Sequence, residues 1–187
     1  MKILVTGATS GLGRNAVQYL LQSGESVVAT GRNCEVGRSL TNAGAQFVAL
    51  DLTEASEDDC ARLMDGCDAV WHCAAKSSPW GDKTAFWLAN VKVTHTLAQA
   101  AGRLNIPRFI HISTPAVYFD FQHHNDLPET YLARAFSSHY ASSKYAAEQV
   151  IAGAVSRYSA TRFILLRPRG LFGPHDQVIV PRLMQQL

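Results

Sequence analysis

Charge is scarce in this chain, and what there is nearly cancels. Of 187 residues only 17% are Asp, Glu, Lys or Arg, and 17 basic against 15 acidic residues leave a formal net charge of +2 with no run of one sign. Nucleic acid and anionic membrane surfaces demand a concentrated basic patch, so neither is an expected partner. Cysteine is sparse as well: Cys34, Cys60, Cys67 and Cys73 show no Cys-x-x-Cys spacing, which fits a reducing, cytoplasmic setting. No apolar run approaches the ~20 residues that cross a bilayer, and no basic, cleavable leader precedes the first apolar strand. His123, His124 and Asp126 lie close together but lack helix or knuckle spacing, so no metal is expected. Ser10 and Ser142 lack the strand elbow and the ordered histidine of a hydrolase nucleophile.

What is present is apolar material: 47% hydrophobic residues, enough for one domain with a sizeable core. Short β-rich runs at 2–5, 26–29, 46–50, 69–72, 108–112 and 163–166 alternate with segments of helical period. Leu12, Ala16, Tyr19 and Leu20 form one apolar helix face, and Trp87, Val91, Thr94, Leu97 and Ala98 another. Right-handed crossovers between parallel strands then predict an α/β, doubly wound parallel sheet with helices on both sides, a three-layer Rossmann fold. The long polar and aromatic stretch from Tyr118 to His139 breaks the rhythm and reads as a loop beside the site. Residues 173–187 read as the start of a further segment, so the expectation is one dinucleotide-binding domain over 1–187 with a substrate domain absent or truncated.

Two motifs carry chemistry. Gly7, Gly11 and Gly13, with Thr9, Ser10 and Leu12 between them, fall where the first strand turns into the first helix. Lacking Cβ, such glycines let backbone approach a pyrophosphate, and the helix N-terminus offers it free N–H groups and positive dipole. A glycine-rich turn without a ligand is the alternative. Far down the chain, Tyr140 and Lys144 stand one helical turn apart, so an ammonium on the same face can lower the pKa of the phenol toward a useful range.

Around these, the second strand runs into Thr30, Gly31, Arg32 and Asn33 without a carboxylate for a ribose 2′-hydroxyl. Arg32 is suited to a 2′-phosphate, which favours NADP over NAD, against the alternative of a solvated loop arginine. Asp51, followed by Leu52, is placed either to accept from an adenine amino group or to cap a helix. His72 and Cys73 read as packing residues, and Ala74 and Ala75 as small residues where backbone passes the cofactor. Ser113 and Thr114 end the fifth strand, where a hydroxyl can hold a substrate oxygen. With Tyr140 moving the proton, these parts suffice for alcohol–ketone interconversion of a small-molecule substrate.

As a set these residues resemble the extended short-chain dehydrogenases/reductases, the NAD(P)-dependent epimerase, dehydratase and 3β-hydroxysteroid dehydrogenase-like enzymes. The resemblance rests on residues 6–13, 72–75, Asn90 with Val91, 113–118, 140–144 followed by Glu148, and 166–174. It implies Thr114, Tyr140 and Lys144 as catalytic residues. It implies a cofactor site of Gly7, Gly11 and Gly13 on the pyrophosphate, Asn90 near the active site and Pro168 passing the nicotinamide. Two departures stand out: the glycine spacing is that of the classical branch, and Pro115-Ala116 replaces the Asp-Glu pair of the sugar dehydratases. The 3β-hydroxysteroid or 3-keto-acid reductase side is the closest match, a nucleotide-sugar 4-epimerase the second, and a non-catalytic dinucleotide-sensing module the third. A homodimer would use the helices after the fourth and fifth strands.

Overall fold

The computed structural model describes residues 1–187 apart from Pro79, Gln177, Val178 and Leu187. Six parallel strands form one sheet: β1 (Lys2–Thr6), β2 (Ser26–Gly31), β3 (Gln46–Ala49), β4 (Ala69–His72), β5 (Arg108–Ile112) and β6 (Arg162–Leu166), in the order β3-β2-β1-β4-β5-β6. The doubly wound expectation is met, and each expected strand appears within two residues of its reading. The order reverses between β1 and β4, and such a switch point opens a crevice at the carboxyl ends of the strands.

Alternation along the strands feeds two cores. Leu4, Val28, Val70 and Phe109 pack on one face with Leu97 and Ile151, while Ile3, Val5, Val27 and Ala29 pack on the other with Val17 and Leu40. Parallel strands covered on both faces read as continuous apolar runs, which is why they were visible in the sequence. Helices α1 (Gly11–Gln22) and α2 (Cys34–Asn42) cover the second face. Helix α3 (Glu57–Leu63) supplies Cys60 and Leu63 to the first.

After β4 the chain enters one long helical rod: α4 (Lys83–Phe86), a π-helical stretch (Trp87–Lys92) and α5 (Val93–Arg103). A 3₁₀ turn (Pro115–Tyr118) follows β5, and α6 (His139–Arg157) and α7 (Ile179–Met184) complete the helices. The predicted apolar faces need two corrections. Tyr19 is 66% exposed because Val17, two residues back and on the opposite side of the helix, takes the buried place, and Trp87 is 45% exposed at the start of the π stretch. The expected loop before Tyr140 is present, irregular from 119 to 138. Within it Asp120 accepts from the Tyr131 hydroxyl and faces the His124 ring, and these bonds push its carboxyl down to about 2. In the terminal segment expected over 173–187, Gln177, Val178 and Leu187 lie outside the described residues.

Candidate active site

A single cleft of about 820 Å³ runs along the carboxyl edge of the sheet, from Arg32 and Asp51 at one end, past the glycine turn, to Thr114, Tyr140 and Lys144 at the other. Gly7 adopts φ +65°, and a Cβ there would sit 2.8 Å from the backbone of Ala74, so the turn after β1 and the exit of β4 pass at a distance only glycine allows. Gly13 lets α1 press on that turn: a Cβ would come within 2.2 Å of the Gly7 carbonyl oxygen. Ser10 caps α1 through its backbone alone, leaving its hydroxyl uncommitted, and the N–H groups of Leu12 and Gly13 have no backbone partner among the described residues. The Gly11 N–H is taken by the His175 carbonyl at 3.2 Å, where the chain beyond β6 crosses the turn. Two unpaired N–H groups, a free hydroxyl and a helix N-terminus fit a diphosphate.

The sequence found no carboxylate beside Arg32. The structure corrects this: β3 pairs alongside β2, and Asp51, just beyond it, reaches to 3.6 Å from the Arg32 guanidinium. Nor does Asp51 cap a helix. Its carboxylate accepts from the backbone N–H (2.9 Å) and hydroxyl (2.8 Å) of Thr53, closing a turn and holding its pKa down, whereas α3 is capped by Ser56. Arg32, Asp51 and Leu52 line one end of the cleft, and Thr9, Ala74, Ala75 and Pro168 line its length.

At the other end Thr114, after β5, caps the 3₁₀ turn, its hydroxyl accepting from the Ala116 N–H at 3.2 Å, and it lines the cleft together with Tyr140. Ser113 is otherwise engaged. Its hydroxyl donates to the buried Glu148 carboxylate at 2.5 Å. Lys144 is buried behind them; its ammonium donates to the Ile112 carbonyl (2.6 Å) and lies 3.3 Å from His111 Nε2. Burial pushes its pKa down to about 8, opposed by the Glu148 charge. The phenol differs from expectation: burial raises the Tyr140 pKa, and Thr114 lowers it only in part.

Asn90 is a second correction. It is fully buried in the π stretch and does not line the cleft. Its Oδ1 accepts from the Lys76 N–H (2.8 Å), while its Nδ2 donates to the Lys76 carbonyl (3.1 Å) and to Ser143 Oγ (2.9 Å). Asn90 therefore ties the chain after β4 to α6.

Several residues escaped the sequence. Lys76, Ser77, Leu88 and Ala89 line the cleft, and the place of Leu88 and Ala89 depends on a π-helical register that no sequence period announces. Glu148 and Arg167 form a two-bond ion pair (2.8 and 2.6 Å), and Arg167 also donates to the Tyr118 hydroxyl and the Glu129 carbonyl, tying β5, α6, β6 and the long loop together. His72 bridges Thr6 and Thr94 in the core, and burial pushes its pKa down to about 3. Burial pushes the Cys73 thiol up to about 12, which disfavours its thiolate.

Comparison with known proteins agrees with this geometry. A protein YbjS of Escherichia coli is 49% identical over all of this chain and 56% of its own length. A 2-alkyl-3-oxoalkanoate reductase of Shewanella oneidensis is 33% identical over 96% of the chain and 47% of its own. Among solved structures, a UDP-glucuronic acid 4-epimerase of Bacillus cereus with UDP-glucuronic acid and NAD superposes with a TM-score of 0.87 at 27% identity, covering all of this chain and 62% of that one. The chain spans about half the length of the curated relatives it matches. A family model matches residues 3–187, so the chain belongs to the NAD dependent epimerase/dehydratase family.

Proposed function

We propose that the protein is an NAD(P)-dependent oxidoreductase interconverting a secondary alcohol and a ketone, with a 3-oxo acid or 3β-hydroxysteroid type of substrate. The single observation that carries this is that Thr114, Tyr140 and Lys144 line the same cleft as the glycine turn with its unpaired N–H groups. A bound nicotinamide supplies the hydride chemistry at the substrate carbon. Tyr140 gives or takes the proton at the substrate oxygen, and Thr114 holds that oxygen by a second hydrogen bond. Lys144 keeps a positive charge behind the phenol and faces the ribose side of the cleft, and the glycine turn holds the diphosphate. Relatives named as a 2-alkyl-3-oxoalkanoate reductase and a 3β-hydroxysteroid dehydrogenase/isomerase support the reductase reading.

Residues 1–187 form the dinucleotide-binding domain, and the remainder of the relatives' length corresponds to a substrate domain. Arg32 favours NADP through its exposed guanidinium, and Asp51 beside it accommodates NAD by offering a carboxylate to a ribose hydroxyl. The reducing setting implied by four unpaired cysteines is the cytoplasm. The similarity to NAD-bound 4-epimerases keeps a nucleotide-sugar 4-epimerase as the second reading. Supplying oxidised cofactor with secondary alcohols separates the two: a reductase accumulates reduced cofactor and ketone in equal amounts, whereas an epimerase returns an isomer with no net change in cofactor. Binding titrations with both cofactors test the preference. Arg32→Ala is expected to weaken NADP about tenfold, the effect of one lost charge-assisted contact of ~1.4 kcal/mol, and NAD little; tighter NAD binding by the unaltered protein overturns the preference.

A further inference from the structure

Lys76 stands out among the residues the catalytic reading leaves unused. It lines the cleft, is only partly exposed, and its ammonium has no carboxylate partner among the described residues. Its one recorded side-chain partner is a ring: Nζ lies 5.4 Å from the centroid of Phe86, a residue 1% exposed whose ring packs 6.5 Å from that of Tyr140. The ammonium is therefore one ring away from the phenol. The chain on its far side is Gly81, where a Cβ would lie 3.3 Å from Lys76 Cε.

Its backbone is held as firmly as its side chain. The Asn90 amide closes a two-bond pair on the Lys76 N–H and carbonyl and then bonds Ser143, which lies between Tyr140 and Lys144 on α6. An ordinary surface lysine is tethered at neither end. Here a buried amide and a buried aromatic ring fix one cation at a set position relative to the acid/base. An unneutralised cation in a cleft, seated on an aromatic face, offers an anion a charge-assisted contact at little reorganisation cost.

We infer that Lys76 is a specificity-determining residue that binds the carboxylate of a substrate whose ketone or alcohol is held by Tyr140 and Thr114, which makes the substrate a 3-oxo or 3-hydroxy acid. This rests on the oxidoreductase reading and narrows its substrate class. No bond to Lys76 forms or breaks: the proton moves at Tyr140, the hydride moves between substrate carbon and nicotinamide, and the carboxylate stays anionic throughout. Neutral steroids and esters lack the group Lys76 recognises.

The test compares 3-hydroxydecanoate with its methyl ester, using oxidised cofactor, in the unaltered protein and in Lys76→Met and Lys76→Arg. Both initial rates and the binding of each compound to the cofactor-loaded protein, read by thermal shift, are followed. The unaltered protein is expected to prefer the acid; Lys76→Met is expected to cut the acid-over-ester ratio of kcat/KM tenfold or more, mainly through KM, and Lys76→Arg to keep most of it. A structural role for Lys76 lowers acid and ester by the same factor, and that result overturns the inference. If neither compound turns over, even in a chain extended to the relatives' length, the oxidoreductase reading fails by itself. The inference then stands or falls on whether the acid, and not the ester, shifts the melting temperature in a way that Lys76→Met abolishes.

Discussion

Lys144 shows how one residue's surroundings set its chemistry. A lysine on an exposed helix face stays charged to high pH, but this one is 2% exposed, and burial brings its pKa down to about 8. The fold therefore disfavours the ammonium relative to the unfolded chain. The native state holds fewer protons than the unfolded state between about pH 8 and the ordinary lysine value of 10.5, so stability rises with pH across that window and is lost again as pH falls toward 8. Replacing Lys144 by Met removes this component. Denaturant titrations from pH 7 to 10.5 are expected to show the stability difference between variant and unaltered protein shrinking as pH rises, and a constant difference contradicts the assignment. That Tyr140 and Lys144 line one cleft was legible from their four-residue spacing. That the ammonium bonds the Ile112 carbonyl was not, because it depends on which β5 backbone carbonyl lies beneath the helix.

At the scale of elements, the junction of β1, α1 and β4 has the least tolerance. Gly13→Ala puts a methyl group 2.2 Å from the Gly7 oxygen, where the neighbouring atom is backbone and cannot swing aside. Overpacking of this kind costs about 1–3 kcal/mol. The expected result is a lowered melting temperature together with loss of cofactor binding, both measurable by thermal shift with and without NADP. The strands and their order were readable because parallel β structure leaves apolar runs between helical periods. Contacts made across elements were not. Arg32 meets Asp51 only because β2 and β3 pair, and Glu148 meets Arg167 across 19 residues only because α6 returns beside β6. In the π-helical stretch Asn90 meets the Lys76 backbone behind the cleft wall, a contact that helical spacing cannot foretell.

For the whole molecule, the distribution of apolar surface matters most. Leu166, Leu171, Phe172, Val180, Leu183 and Met184 are each exposed by 41% or more, all beyond the start of β6, and Leu171 lines the cleft. A reacting centre open on that side admits water, which weakens each electrostatic contact within it. These 187 residues alone are expected to bind cofactor but turn substrate over weakly, and a longer chain that covers this surface to be faster. The central claim, that Thr114, Tyr140 and Lys144 surround one reacting centre, is tested most directly by isotope transfer. Reduced cofactor carrying deuterium at the nicotinamide C4 is incubated with a 3-oxo acid, and product deuterium is read by mass spectrometry for the unaltered protein and for Tyr140→Phe at equal cofactor saturation. The account predicts label in the product from the first and essentially none from the second; equal label from both contradicts it.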